Sequence, residues 1–278
     1  MDNEFRISGK NQRLSIYPVS DLHYGSEQFD EELFNYWVEM FEEDENQKVI
    51  YLLGDILESG SKSVGNSAFN QNISLDKQIN WFIDTFKPYS KYIRGMTQGN
   101  HEARLKKEFD LDITNVVSKA LDVPYSASIY DTIMINDQPY TFYGTHGNKV
   151  SAHQHLQLGM IKRAVEHIDA HVFCMGHSHK LLTISDVRTT PTGYKRRYYV
   201  NTGSFLGYEG SYAEDTGLRP ELTGFSRILV DRERRTNVEL FNRDEVIAWL
   251  KLNIGKALAE LRKQMRELKF RRKKDGKR

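Results

Sequence analysis

Cysteine is nearly absent from this 278-residue chain: Cys174 stands alone. That excludes an internal disulfide framework and suits a reducing compartment. No apolar run is long enough to span a bilayer. Met1 to Tyr17 lacks an apolar core of signal-peptide type, so the expectation is a cytoplasmic, soluble protein with no membrane partner. Internal repeats are missing too, and no clear linker interrupts the chain before about Asn242. Net charge is almost missing, with 39 Lys+Arg against 38 Asp+Glu, but the balance hides an asymmetry. Lys256 to Arg278 holds 11 Lys/Arg and 3 Asp/Glu, a surplus of eight, which leaves residues 1–255 with a deficit of seven. An acidic body carries a basic tail, and such a tail can follow a phosphate backbone or simply solubilise a terminus.

What is present is the material of an ordinary globular domain, with 28% charged and 12% aromatic residues. Arg13 to Ser20, Lys48 to Leu53 and Tyr92 to Thr97 read as short strands. Phe29, Leu33, Phe34, Trp37, Met40 and Phe41 recur at helical spacing between the first two, as do Ile79, Phe82, Ile83 and Phe86 before Pro88. Ser59 to Asn72 is rich in Ser, Gly and Asn and reads as a long loop able to gate a site. Tyr140 to Thr145 and His171 to Met175 follow as strands, with a helix centred on Leu156, Met160 and Val165 between them. Leu181–Val187, Arg197–Thr202, Phe225–Asp231 and Asn237–Phe241 complete the pattern. Alternating units followed by antiparallel ones predict two packed sheets flanked by helices. The division expected is a body over 1–242 and a C-terminal helix with basic tail over 243–278. In that helix Ile247, Leu250, Ile254, Ala257, Leu261, Gln264 and Leu268 form a heptad-like seam, either docked on its own domain or pairing two copies.

The chemistry-bearing residues stand just after predicted strands. They are Asp21-Leu22-His23, Gly54-Asp55, Gly99-Asn100-His101-Glu102, Gly144-Thr145-His146 and Gly176-His177-Ser178-His179. In an α/β sheet ligands gather at the carboxyl ends of strands, so segments spread over about 160 residues can converge. Divalent ions want oxygen and imidazole donors on short turns, and Asp-x-His or His-x-His puts two donors on one side of an extended segment. A carboxylate such as Asp55 can be shared by two ions where an imidazole cannot. Two ions ~4 Å apart can clamp a phosphoryl oxygen and generate a hydroxide for in-line attack. Each piece alone is weak: a lone histidine is more often a core residue, and His153, His155, His167 and His171 read as ordinary polar positions. Five glycine-flanked segments in this order are a different matter.

This ordered set resembles the calcineurin-like metallophosphoesterase superfamily over Leu14 to roughly Ser204, where Asn201-Thr202-Gly203-Ser204 resembles a segment closing that fold. The resemblance implies a four-layer αββα architecture, a two-sheet sandwich with helices outside. It assigns Asp21, His23, Asp55 and His179 to one divalent ion and Asp55, Asn100, His146 and His177 to the second. Manganese is the first expectation for the pair, with iron, zinc or nickel also fitting mixed N/O sites. His101 would be the catalytic residue, protonating the leaving oxygen or stabilising the charge developing there, Glu102 would support the site from a helix N-terminus, and Arg104 would touch substrate phosphate, with Lys106 a further candidate on the same short helix. Glu58 replaces a shorter acidic residue found in many relatives. The Asp-Arg-Gly pattern of the phosphoprotein phosphatases is absent. Ser20 to Gly25 resembles the opening motif of DNA-repair exonucleases and of archaeal polymerase small subunits. The reading is therefore a metal-dependent phosphoesterase acting on phosphodiesters in nucleic acid, helped by the basic tail and by Lys195-Arg196-Arg197. A phosphatase or phosphodiesterase for nucleotides or other small phosphoesters is the alternative, and a non-catalytic scaffold of the same fold the second.

Overall fold

A computed structural model describes residues 4–7, 12–60, 73–147, 159, 161–163, 165–191, 193–209, 214 and 221–255. The basic tail, the positions 61–72 of the expected gating loop, His153, His155 and most of the helix expected around Leu156 lie outside the described residues.

The strands are β1 (Glu4–Phe5), β2 (Leu14–Val19), β3 (Gln47–Leu52), β4 (Ile93–Met96), β5 (Ile129–Ile135), β6 (Gln138–Thr145), β7 (Val172–Met175), β8 (Leu181–Thr190), β9 (Gly193–Ser204), β10 (Gly224–Val230) and β11 (Thr236–Phe241). One layer runs β4-β3-β2-β10-β11 and the other β1-β5-β6-β7-β9-β8. The layers join where Gly203 and Ser204 of β9 pair with Phe225 and Gly224 of β10. Ile16, Val49, Tyr51 and Ile228 from the first layer meet Ile133, Phe142, Val172 and Val200 from the second in one buried core. This is the expected sandwich.

Helices cover the outer faces. In α1 (Glu31–Glu43) the buried residues Leu33, Phe34, Trp37, Met40 and Phe41 form a single stripe. Asp30 caps its start, accepting the Leu33 amide at 2.9 Å. α1 and α2 (Leu75–Phe86) bury that stripe with Phe82 and Phe86 against Tyr17, Val19, Ile50 and Leu52. On the opposite face Ile161 and Val165 pack against Phe173 and Tyr199. The order helix–sheet–sheet–helix is the four-layer arrangement anticipated.

α3 (Asn100–Phe109) is the short helix expected to carry Glu102, Arg104 and Lys106, whereas one helix and two strands, α4 (Ile113–Leu121), β1 and β5, lie outside the sequence reading. α4 reads ITNVVSKAL, rich in β-branched residues that favour strands. Its helix is set by the Asp112 carboxylate accepting the Asn115 amide at 3.0 Å and by burial of Ile113, Val117 and Leu121. A helical segment over 243–255 docks on the same core as α1 through Val246, Leu250 and Trp249. Arg243 ties its start to Asp30 at 2.7 Å. Of the seam residues, Leu250 is buried and Ile254 exposed, and those from Ala257 onward fall outside the described residues. Among the described residues no helix is long and apolar enough to cross a membrane.

The architecture fixes where the chemistry sits. β2, β3 and β4 are parallel in one layer and β6 and β7 parallel in the other. All five segments singled out in the sequence leave the carboxyl ends of these strands. The join between the layers brings those ends together.

Candidate metal centre

Backbone geometry comes first. Five of the seven candidate donors, Asp21 (φ 52°), His23 (51°), Asp55 (50°), His177 (65°) and His179 (55°), adopt left-handed conformations, which cost a non-glycine residue on the order of 1 kcal/mol or more each. The expectation that Asp-x-His and His-x-His converge by simple alternation along an extended chain is therefore corrected. Both pairs converge because each donor sits in a tight left-handed kink. Backbone bonds hold the kinks: the amides of Asp21 and His23 donate to the carbonyls of Gly54 and Asp55 at 3.1 and 3.0 Å. Gly99 makes room for the result, since a Cβ there would lie 2.1 Å from both the Asp55 amide nitrogen and Asp55 Oδ1.

The donors form two groups sharing an edge. In the first, His179 Nε2 lies 3.3 Å from Asp21 Oδ1 and 3.2 Å from His23 Nε2. In the second, His146 Nε2 lies 3.1 Å from Asp55 Oδ2 and 3.0 Å from Asn100 Oδ1, and His177 completes a set with Asp55 and His146 whose donor atoms are within 4.8 Å of one another. Asp55 Oδ2 is also 3.8 Å from His23 Nε2, so one carboxylate faces both groups. Donors bound to a divalent ion at ~2.1 Å sit about 3.0–3.4 Å from each other. The nitrogen–oxygen mix and these separations fit two such ions. Asp21, His23, Asp55 and His146 are buried, while Asn100, His177 and His179 are partly open to solvent. The seven residues singled out from sequence are thus brought together.

Neighbouring groups aim the donors. His146 Nδ1 donates to the Leu53 carbonyl at 2.8 Å, which leaves Nε2 as the nitrogen turned inward. The amides of His101 and His177 donate to Asp55 Oδ1 (2.8 Å) and to Asp21 Oδ2 (2.9 Å). Glu102 is buried and accepts the amides of Asp55, Ile56 and Leu57 at 3.0, 2.8 and 3.1 Å. It clamps the loop that carries Asp55, and burial together with the Asp55 charge pushes its own pKa up. Glu58, whose role the sequence left open, reaches two histidines. Its Oε2 lies 3.0 Å from His23 Nδ1 and its Oε1 3.5 Å from His101 Nδ1. The longer side chain lets one residue serve both, and the signal was its position three residues beyond Asp55.

His101 belongs to neither of these two groups, although a ring nitrogen lies within 4.8 Å of donor atoms of His23 and Glu58. Its Nδ1 is 2.7 Å from the Glu58 carbonyl, its ring packs edge-on against His23 at 4.4 Å, and Arg104 Nη2 lies 3.2 Å from its Nε2. Burial and the His23 charge take its pKa down to about 4. Arg104 is accordingly at the rim of the centre. Lys106 is turned away, paired with Asp112 at 2.7 Å. The Lys195-Arg196-Arg197 patch is also remote. β9 runs parallel to β7, so the patch lies at the amino end and the centre at the carboxyl end. Lys195 and Arg197 are moreover bound to Asp169 and Asp186 at 2.9 and 3.1 Å.

The carboxylates of the centre set the protonation of its imidazoles. Burial opposes protonation of His23 and His146, yet the surrounding carboxylates outweigh it. Glu58, Asp55 and Asp21 take His23 up to about 9, and chiefly Asp55 takes His146 up to about 10. Burial likewise opposes ionisation of Asp55, but His146, His101 and His23 hold it well below the usual carboxylate range. Both imidazoles therefore carry a proton at pH 7 that a metal ion must displace. Metal affinity is expected to rise with pH up to about 9–10 and to fall in acid. Calorimetric titration at pH 7 in buffers of differing ionisation enthalpy should show net proton release, and no release would contradict the assignment of these two imidazoles as donors.

The model of one protein family, the calcineurin-like phosphoesterases, matches residues 14–186. Among solved structures the chain resembles a metallophosphoesterase from Sphaerobacter thermophilus at 14% identity and TM-score 0.40, covering 87% of this chain and 94% of that one. It also resembles a 5'-nucleotidase from Candida albicans at 11% identity and TM-score 0.42, covering 95% of this chain and 58% of that one. A third similarity is to a predicted phosphoesterase from Streptococcus pneumoniae at 13% identity and TM-score 0.36, covering 83% and 98%. No curated protein matches the sequence.

Proposed function

Because the chain belongs to the calcineurin-like phosphoesterase family, we propose that it hydrolyses phosphodiesters, with nucleic acid as the substrate class. The observation that carries the chemistry is a single carboxylate, Asp55, facing two groups of donors, with His101 and Arg104 beside them and outside both. Asp21, His23, Asp55 and His179 would hold one divalent ion and Asp55, Asn100, His146 and His177 the other. Two such ions, Mn²⁺ being the first choice, would polarise the phosphoryl oxygens and lower the pKa of water. The chain's own residues do the rest. Arg104 presents the fixed positive charge of a guanidinium at the rim, which suits a phosphate oxygen. His101, held through Nδ1 by the Glu58 carbonyl, keeps Nε2 for the oxygen that leaves. Glu58 and Glu102 keep the His23 ring and the Asp55 loop from moving as substrate enters.

The preference for nucleic acid rests on the tail, which supplies a surplus of eight positive charges to an otherwise acidic chain. The test is a panel of single-stranded DNA, double-stranded DNA, bis(p-nitrophenyl) phosphate and p-nitrophenyl phosphate with the Mn²⁺-loaded full chain. Cleavage of the DNAs and the diester is expected. Removing residues 256–278 should weaken polymer binding and flatten its dependence on log salt concentration, leaving turnover of bis(p-nitrophenyl) phosphate unchanged. Turnover of the monoester alone would instead support a small-phosphoester enzyme.

A further inference from the structure

Ser20 and Thr202 are 182 positions apart, yet their hydroxyls meet behind the metal centre, with Oγ and Oγ1 2.5 Å apart. Ser20 Oγ also bonds Asp21 Oδ2. All three residues are buried, Asp21 with no exposed surface and the other two at 2%. The direction of the chain of bonds follows from the groups. An ionised carboxylate can only accept, so the Ser20 proton belongs to Asp21 Oδ2. Ser20 Oγ is then left as an acceptor, and Thr202, with one proton to give, donates to it in preference to the Met175 carbonyl at 3.3 Å. The His177 amide is shared between Oδ2 at 2.9 Å and Oδ1 at 3.1 Å, so the Ser20 hydroxyl is what distinguishes the two oxygens. The Gly176 backbone packs closely on this pair: a Cβ there would lie 2.7 Å from both Asp21 Oδ2 and Ser20 Oγ. Oδ1, the other oxygen, is the one that looks toward His179 Nε2 at 3.3 Å.

We propose that Thr202 and Ser20 are positioning residues, a two-hydroxyl relay that locks the Asp21 carboxylate so that Oδ1 alone serves the ion of the Asp21–His23–His179 group. This rests on the two-ion reading above, and it makes the end of β9 part of one ion site and not of the other. Thr202 does not touch the donors, so its effect must pass through Ser20. Chains of hydrogen bonds strengthen one another in a buried setting, and the loss of an outer partner typically weakens a metal site 10–100-fold.

Stepwise Mn²⁺ titration of the full chain, following free Mn²⁺ by electron paramagnetic resonance, separates the outcomes. His179→Ala identifies the binding step that belongs to this group. Thr202→Val, which keeps the shape and removes the hydroxyl, should weaken that step by ~10-fold or more and leave the other alone. Ser20→Ala should do the same more strongly, and Thr202→Ser should restore the wild-type value. Equal weakening of both steps, or no weakening in either variant, would overturn the relay. So would a lower melting temperature of the ion-free variants with both affinities intact, which marks plain packing. A wild-type chain that binds no Mn²⁺ would instead sink the two-ion reading itself.

Discussion

Replacing His101 with alanine should lower kcat by ~10²–10⁴-fold, the range associated with a lost general acid, while the protein keeps its full complement of metal. The split between activity and metal content follows from where the ring is tethered. Its Nδ1 faces the Glu58 carbonyl at 2.7 Å and its Nε2 lies on the Arg104 side at 3.2 Å, and the ring belongs to neither the Asp21–His23–His179 nor the Asp55–His146–His177 group. Its backbone amide still reaches Asp55 Oδ1 after truncation, so that carboxylate stays in place. With protein charges alone the ring is neutral near pH 7, since burial and the His23 charge bring its pKa to about 4. An arriving phosphate anion raises the pKa, and the general-acid role requires that rise to place a proton on Nε2. Metal analysis and steady-state kinetics on the same preparation check this. Metal loss in His101→Ala would make the residue a ligand and remove it from proton transfer.

Asp55→Asn should abolish binding of both ions and bring activity to background. The substitution conserves shape, but it puts an amide where Oδ2 now lies 3.1 Å from His146 Nε2 and 3.8 Å from His23 Nε2. Losing the shared carboxylate takes one donor from each group and removes the negative charge that draws cations in. The fold should survive. The loop carrying residue 55 is held by Glu102, which accepts three successive backbone amides there, independently of the residue 55 side chain. Circular dichroism of the ion-free variant and its metal content give the two readouts. Loss of a single ion would show that Asp55 belongs to one site and does not bridge.

Much of the centre could be read along the chain because its information is local. Asp21, His23, Asp55, Asn100, His146, His177 and His179 are metal-type side chains next to glycine or on short turns, and each follows an apolar β-run that announces a strand end. Strand and helix order was legible for the same reason, as in α1, where the stripe from Leu33 to Phe41 fixes both the helix and its buried face. α4 was not, because its Ile, Thr and Val favour a strand and only the Asp112 cap and tertiary burial make them helical. The basic run Lys195-Arg196-Arg197 misled in another way. Charge is written in the sequence, but the partners that neutralise it and the end of β9 on which it lies are not.

Which atoms could bind metal, and on which strands they ride, follows from residue type and short-range periodicity. How they are aimed comes from tertiary contacts. The left-handed kinks at five donors and the two histidines served by Glu58 depend on contacts between loops far apart in the chain, and the bond from Thr202 through Ser20 to Asp21 on the join of the two layers. The physical reason is that a ligand's identity is a property of one side chain. The oxygen or nitrogen it turns inward is set by whatever satisfies its other atom, and here that partner comes from another layer or another loop.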